Sequence, residues 1–441
     1  MFNILTYALH CVRAALIFLL SVTCTGLLKP AGADATFAMT DRAEKYGARA
    51  GILAASSERN FFDRMSGMLH NSSRNHFTPS GCWDVTGLLT MYTKMAELDK
   101  KYVRRADRAI YALGFYGRKT PGGGFSAYTG KWTVFQNASG GEVYYDDNMW
   151  VGRDLVKLYN LTGDRKYLKR AIVIADMIIA EGWVDLDENM FAQKFGRAPG
   201  VTSTSPLEPL GGFYWRDDHV ALHMCSNGPA AQFLTMLSAV ADNGKGAEYL
   251  DYAQKCYRFL GYLEQPNGVF WDLMRFHKDS GNTITGIDRA EGGALTYNSG
   301  TPISSAVELY KATGGAAYLD DARRWARGAD AYFAKSSAVP GVKRFTDLPW
   351  FREILLMGYI DLYEFDADAL GYIQNMEGSI NYGYENHRLN GVLCWNRNII
   401  PRDWAEGFRD DEAEKQNAAA LEQIPCAGIY ASLAVFYAGM Q

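Results

Sequence analysis

The stretch "MWVGRDLVKLYNLTGDRKYLKRAIVIAD", Met149–Asp176, decides the fold. Its first half sets apolar residues at helical spacing for about four turns, and its second half does the same. Between the halves falls Gly163, and a residue without a Cβ suits the left-handed end of a helix. The unit is a helix hairpin.

The second half recurs. "DKKYVRRADRAI" at Tyr102, "GKGAEYLDYAQKCY" at Tyr249, "GGAAYLDDARRWA" at Tyr318 and a degraded "ADALGYIQNM" at Tyr372 repeat the phrase at Tyr167, each as a helix start. Before most of them stands another amphipathic segment, as in "VTGLLTMYTKMAEL", "NGPAAQFLTMLSAVADNG", "PISSAVELYKATGG" and "FREILLMGYIDLYE". The tyrosines are 65, 82, 69 and 54 residues apart, too far and too unevenly for a TPR or ankyrin array. The varying part is the second connection, which is long, rich in glycine and aromatic: "GRKTPGGGFSAYTGKW", "EPLGGFYWRDD", "NGVFWDLMRF", "RFTDLPWF". Short loops at one end and long ring-bearing loops at the other describe a closed toroid. Met39–Met68 supplies a first helix and "PCAGIYASLAVFYAG" a last, giving with the five pairs about twelve helices. The expected fold is therefore an all-α (α/α)6 barrel, one domain over residues 36–441. An α-solenoid scaffold is the plainer alternative, but glycine and tryptophan gathered in alternate loops argue for a site at one end.

A net charge of -4 offers no basic field for nucleic acid and no acidic tail, so a neutral partner is expected. Ten tryptophans and 27 tyrosines are enough to line a cleft as well as a core. Residues 1–35 read as a secretory signal: Arg13 precedes the apolar run "AALIFLLSV", and Ala31-Gly32-Ala33 is a small-residue cleavage pattern. The run is short for a membrane span. The expected location is secreted, periplasmic or cell-surface, with membrane contact only if Cys24 carries lipid. The remaining cysteines, Cys82, Cys225, Cys256, Cys394 and Cys426, are scattered and form no C-x-x-C pair. Neither a disulfide framework nor a zinc knuckle is indicated, and one bridge, Cys394 to Cys426, stays open. A monomer without cofactor or metal is expected.

Four Asp-Asp pairs occur, and context sorts them. Asp320-Asp321 lies in a repeat helix and Asp410-Asp411 in the charged run "RDDEAEK", both as solvated surface. Asp146-Asp147 and Asp217-Asp218 each follow a glycine-rich aromatic loop and precede a helix. Asp146-Asp147 suits a helix start, where an acid caps and meets the dipole. Yet Tyr144, Tyr145 and Trp150 surround it, and rings that exclude water raise a carboxyl pKa, splitting two acids into one charged and one protonated. Adjacent residues at a helix mouth can hold carboxyls about 5 Å apart, close to the spacing of retaining glycoside cleavage. Capping and catalysis stand level on local sequence.

In "GGFYWRDDHVALHMCSNG", His219 and His223 are four apart, so a shared helix face and a metal are a functional alternative, without H-E-x-x-H or an obvious third ligand. Trp215 reads as a ring presented to a pocket or as a plug of the barrel end, and Asn227 as a hydrogen-bonding side chain near it. In "EGGALTYNSG", Tyr297 and Asn298 can bind hydroxyls, or Asn298 can cap a helix beginning near Pro302. No G-x-S-x-G, catalytic Cys/His phrase, Walker loop or dinucleotide fingerprint is present.

With "YYDDNMW", "LTGDRKYLKRA", "GGFYW" and "LTYNSGTPISSAVELYKATG" in that order, the chain resembles glycoside hydrolase family 76, the endo-α-1,6-mannanases, from about Cys82 to the last helix. The resemblance implies an (α/α)6 barrel and retaining hydrolysis of α-1,6-mannosidic linkages in mannan, without metal. It makes Asp146 the nucleophile and Asp147 the acid/base. Tyr145, Trp150, Trp215, Asn227, Tyr297 and Asn298 are the expected substrate-binding residues, with manno-oligosaccharide as the partner. Val151 and the "FYW" phrase depart from the family pattern. Two other classes stand beside this one. An unsaturated-uronyl hydrolase or a sugar epimerase on the same barrel would want a basic clamp, for which Arg216, Arg275 and Arg289 are candidates. A glycan-binding lipoprotein would use the rings and leave the aspartates as caps.

Overall fold

Among the described residues of the computed structural model, six helices buried on nearly every face stand inside six that bury only one. The structure describes residues 33–63, 67–73, 79–119, 125–131, 142–196, 208–281, 283–290, 292–389, 398–408 and 417–440. The helices are α1 (Ala33–Phe61), α2 (Cys82–Leu98), α3 (Val103–Leu113), α4 (Tyr145–Thr162), α5 (Arg165–Gly182), the short α6 (Glu188–Phe195) and α7 (Met224–Ser238). They continue with α8 (Gly246–Leu260), α9 (Thr296–Thr313), α10 (Ala316–Phe333), α11 (Pro349–Tyr363), α12 (Ala369–Tyr382) and α13 (Ala420–Gly439).

Sequence decides which ring a helix joins. In α7, 13 of 15 residues are buried, as its small and apolar residues on all sides demand. In α10, 6 of 18 are buried, in a stripe from Leu319 to Phe333, and its charged face meets solvent. The inner ring runs α2, α4, α7, α9, α11, α13 and closes with α13 against α2, while α1 packs on α13 as its outer partner. The expected twelve-helix toroid is the architecture, with α6 as an addition in a long loop. The first helix differs from the expected Met39–Met68 in beginning at Ala33 and ending at Phe61, where Phe62 turns into a bridge with Leu69.

Within hairpins the turns are short. Gly163 is left-handed (φ 71°) and its N–H donates to the Tyr159 carbonyl, and Gly314 repeats this at the end of α9 (φ 73°). The long connections all lie at the other end, where the inner helices begin, and they fold into small sheets. These pair β1 (Gly117–Lys119) with β2 (Phe125–Tyr128), and β3 (Trp183–Leu186) with β4 (Leu210–Phe213). A three-stranded sheet holds β5 (Ala221–His223), β6 (Leu273–Lys278) and β7 (Ile284–Ala290), and β8 (Lys335–Ser336) pairs with β9 (Lys343–Arg344). Every inner helix thus points its N-terminus, with N–H groups that have no partner within the helix and a positive dipole end, at the long-loop face.

An amide side chain at the fourth position of three inner helices fastens these loops. Asn148 accepts the Tyr128 N–H at 2.8 Å and donates to the Tyr128 carbonyl at 2.9 Å. Asn227 does the same to Phe213 (2.8 and 2.9 Å), and Gln423 to Ile400 (3.0 and 2.8 Å). Each satisfies both backbone groups of one buried loop residue, as burial requires.

The expected signal falls on residues 1–32, outside the described residues, apart from its last three, which begin α1. Cys24, Cys394 and Asp410-Asp411 also lie outside them. Cys426 is buried in α13, its thiol donating to the Glu422 carbonyl at 3.2 Å. Among the described residues no helix is long and apolar enough to cross a membrane.

Candidate active site

The mouth of α4 is built by a zipper between two loops. The Tyr145 N–H donates to the Trp215 carbonyl (2.9 Å), the Asp217 N–H to the Val143 carbonyl (3.2 Å) and the Trp215 N–H to the Ala221 carbonyl (3.0 Å). Gly212 lets β4 lie this close, since a Cβ there would run into Leu222 and the Asn227 amide oxygen. The Trp215 ring is thereby set between Tyr144 (centroids 5.1 Å) and His223 (4.7 Å), and its Nε1–H donates to Asp146 Oδ2 at 3.1 Å.

Asp146 and Asp147 are the second and third residues of α4, and each is only 5% exposed. The cap position belongs to Tyr144, which makes no side-chain cap bond. Asp146 Oδ1 instead accepts the Asp147 N–H at 3.0 Å, so it serves the helix start while its other oxygen meets Trp215. Both carboxyls line a cavity of about 550 Å³, within the range of small-ligand sites. Its wall is shared by Cys82 and Trp83 of α2, Trp215, Cys225 of α7, Tyr297 of α9 and Phe351 of α11. Asp272 and Lys131 complete it from the loops.

The two carboxyls are unequal. Burial raises Asp146 to about 6, and the Cys225 thiol, the Asp147 N–H and the Trp215 indole hold it down. Asp147 is pushed well above the usual carboxylate range, first by burial and then by Asp146 and Asp84, with only the Cys82 thiol opposing. Asp84 is itself raised to about 6 by burial, although it accepts the Gly81 N–H at 3.1 Å. Both are raised, and the charge of Asp146 together with Asp84 pushes Asp147 the further of the two.

A third carboxyl group, that of Asp272, lines the same cavity. Asp272 Oδ1 accepts the Tyr297 hydroxyl at 2.6 Å and the Asn298 amide at 3.3 Å, and Oδ2 lies 3.8 Å from His223 Nδ1. Burial lowers the His223 pKa, with Asp272 opposing.

Of the six expected substrate-binding residues, Trp215 and Tyr297 line the cavity, and four do not. Trp150 is four residues after Asp146, so it shares that face one turn deeper, where it packs on Trp350 and under Arg153. Tyr145 turns away from Asp146, its hydroxyl donating to the Glu181 carbonyl at 3.0 Å. Asn227 is consumed by Phe213 and the His223 carbonyl (2.8 Å). Asn298 donates to Asp272 Oδ1, the oxygen that already accepts the Tyr297 hydroxyl, and it is no cap: α9 begins at Thr296, with Pro302 inside its second turn.

The other candidates disperse. His219 is left-handed (φ 54°) and stacks on Tyr214, while His223 ends β5 against Trp215, so the two share no helix face. Among the described residues no group of three or more His, Cys, Asp or Glu side chains is placed to hold a metal ion. Arg216 is engaged by Asp218 and Glu142, Arg289 lies on Trp271, Arg275 is exposed, and none of the three lines the cavity. Asp84, Asp272, Cys82 and Cys225 were missed by sequence reasoning, and only the placing of Cys82 and Cys225 in the first turn of inner helices could have found any of them.

Residues 208–358, which hold Trp215, Asp272 and Tyr297, match the family described as glycosyl hydrolase family 76. The resemblance to glycoside hydrolase family 76 is thereby shown. The fold agrees: a family 76 glycoside hydrolase (mannosidase) from Bacteroides thetaiotaomicron superposes with a TM-score of 0.70 at 24% identity, covering 91% of this chain and 100% of that one. An inactive variant of an α-1,6-mannanase of Salegentibacter sp. HEL1_6, with asparagine at two consecutive aspartates and α-1,6-mannotriose bound, gives 0.64 at 19% identity over 89% and 99% of the chains. A D-mannose isomerase also shares the fold, with a TM-score of 0.57 at 11% identity, covering 89% of this chain and 96% of that one. The barrel alone therefore does not choose the reaction. No curated protein matches the chain in sequence.

Proposed function

We propose that this family 76 relative is a retaining glycoside hydrolase that cleaves α-1,6-mannosidic linkages in mannan. The observation that carries the proposal is the unequal carboxyl pair at the mouth of α4, inside an aromatic-walled cavity. Asp146, with two N–H donors on its carboxylate, attacks the anomeric carbon. Asp147 protonates the departing glycosidic oxygen. It then takes a proton from the water that releases the sugar from Asp146. Trp215, between Tyr144 and His223, offers a ring face for a sugar, and Asp272 an acceptor for hydroxyls.

The order of the two roles comes from the family resemblance, and the environments support it. A nucleophile must be charged and an acid protonated at the same pH; two N–H groups bond Asp146, while burial and the neighbouring Asp146 and Asp84 carboxyls push Asp147 higher. The α-1,6 linkage rests on the family resemblance and on the mannanase relative whose paired aspartates were replaced. The absence of an arginine from the described wall disfavours the uronyl reading. Export through the N-terminal segment and action outside the cytoplasm are parts of the same proposal, read from residues 1–35, and so is a monomeric state.

The test is a screen of α-1,6-mannan, differently linked mannans and uronyl oligosaccharides, with products separated by chromatography and the first-formed anomer read by NMR. Release of α-configured manno-oligosaccharides from α-1,6-mannan alone is expected. Uronyl products, isomerised mannose, or binding without product would each replace this function with one of its rivals.

A further inference from the structure

The two tyrosines of "YYDDNMW" part company at the mouth of α4. Tyr145 turns away, and Tyr144, which is not among the expected substrate-binding residues, lines the cavity with Gly130, Trp215 and the acid pair. Two neighbours grip the Tyr144 ring. Gly130 lies so close that a Cβ there would sit 2.7 Å from both Cδ2 and Cε2, inside contact distance. The Trp215 ring meets it nearly edge-on, with centroids 5.1 Å apart and planes at 70°. From Trp215 the line of contacts ends at Asp146, whose Oδ2 accepts the indole N–H at 3.1 Å. We infer that Tyr144 is a positioning residue: its ring, seated on the bare backbone of Gly130, props the Trp215 indole so that its N–H meets Asp146.

The part this plays in catalysis rests on the proposed role of Asp146 as nucleophile. Seat and prop are both fixed by backbone. The Gly130 N–H donates to the Glu142 carbonyl at 3.0 Å, and the Gly130 carbonyl accepts the Cys82 N–H at 3.2 Å, so Gly130 ties the start of α2 to the segment that enters α4. Tyr144 bridges to Arg216, and the N–H groups before and after it are bonded, that of Val143 to Asp217 Oδ2 at 3.1 Å and that of Tyr145 to the Trp215 carbonyl at 2.9 Å. The indole has one more ring against it, His223, with centroids 4.7 Å apart. Without Tyr144 only that ring steadies it, and a donor free to swing loses the alignment a hydrogen bond needs. The Tyr144 hydroxyl adds little, since it meets the exposed Glu142 carboxylate at 3.2 Å.

Removing the ring and unseating it have one consequence. In Tyr144→Ala, kcat on α-1,6-manno-oligosaccharide should fall by about tenfold, the size of a lost bond to a charged group. Gly130→Ala should lower kcat by a similar factor while Tyr144 is present, and by less than about twofold more once Tyr144→Ala has emptied the seat. Tyr144→Phe keeps the ring and should recover most of the loss. In a Trp215→Phe background, with no N–H to aim, Tyr144→Ala should lower kcat by less than about twofold, while KM rises in either background because the wall has lost a ring.

The deciding experiment is nitrogen-15 NMR of the full chain carrying labelled tryptophan, with Trp215→Phe identifying the Trp215 indole among the ten. The quantity read is the displacement of its N–H resonance when Asp146→Ala removes the acceptor; being a difference, it cancels the ring current of Tyr144 itself. The displacement should be large in the wild type and in Tyr144→Phe, and cut to a small fraction in Tyr144→Ala and in Gly130→Ala. An undiminished displacement in Tyr144→Ala or in Gly130→Ala, or one lost equally in Tyr144→Phe, would overturn the inference. Thermal melts check folding, and Gly130→Ala probes the same contact should Tyr144→Ala not fold. The spectra need no substrate, so they fail separately from the proposed function. An undiminished displacement beside an inactive Asp146→Asn leaves the hydrolase and removes the prop. The expected spectra beside a fully active Asp146→Asn remove the hydrolytic role of Asp146 and, with it, the positioning role.

Discussion

Asp146-Asp147 and Asp217-Asp218 are the same dipeptide, each after a glycine-rich aromatic loop, and the fold treats them oppositely. The first pair sits inside α4 under Trp215, with both residues buried. The second lies on an exposed turn, Asp217 accepting the Val143 N–H at 3.1 Å and Asp218 gripping Arg216 at 2.5 Å. They even cooperate, since the Asp217 turn zips to the strand that leads into Asp146. Burial at an inner-helix mouth makes an acid pair chemical, and exposure makes it a fastener.

The largest break in this comparison is expected from Asp147→Ala. Without its proton donor, turnover of α-1,6-manno-oligosaccharide should fall by about 10²–10⁴-fold. An aryl mannoside whose leaving group needs no proton should lose much less, as a chromogenic assay would read.

Trp215→Phe keeps the ring and deletes the donor to Asp146 Oδ2. A fall of about tenfold in kcat/KM is expected, with the acidic limb moved above its starting point near pH 6. An unchanged limb would mean that the indole contributes only its surface.

Stability gives the third contrast. Burial raises Asp146 above its unfolded value, so ionising it opposes folding. Its cost is absent below the unfolded pKa, grows as pH rises toward about 6 and is complete above that. Asp146→Asn should therefore stabilise the chain by about 1–3 kcal/mol at pH 7 and by almost nothing at pH 4, in paired thermal melts. Asn227→Ala, by contrast, should lose about 1–3 kcal/mol at any pH, because the Phe213 N–H and carbonyl are left buried and unpaired.

The smallest effects belong to the exposed pair. Asp217→Asn keeps an acceptor for Val143, and Asp218→Asn gives up a solvent-screened contact. Each should change stability by about 0.5 kcal/mol or less and leave turnover within about twofold.

The hairpins were legible because helical periodicity and left-handed glycines are local. Gly163 and Gly314 end their helices as their place in the sequence predicts. The acid pair was legible because rings and glycines crowd it. What stayed hidden is what closure of the toroid assembles: Cys82, Asp147, Cys225 and Asp272 come from four parts of the chain and meet only at the long-loop face. Trp150 and Tyr145 show the limit of a short window, since each residue turns about 100° around the helix and each turn descends about 5.4 Å. One looks outward to α5 and the other lies below the cavity. Asn227 illustrates another limit, because a buried amide serves a loop backbone as readily as a ligand.

The most direct measurement is turnover of α-1,6-mannotriose by Asp146→Asn and Asp217→Asn beside the wild type, with folding checked by thermal melts. Turnover lost in Asp146→Asn and kept in Asp217→Asn is the predicted result. Near wild-type turnover in Asp146→Asn would contradict it.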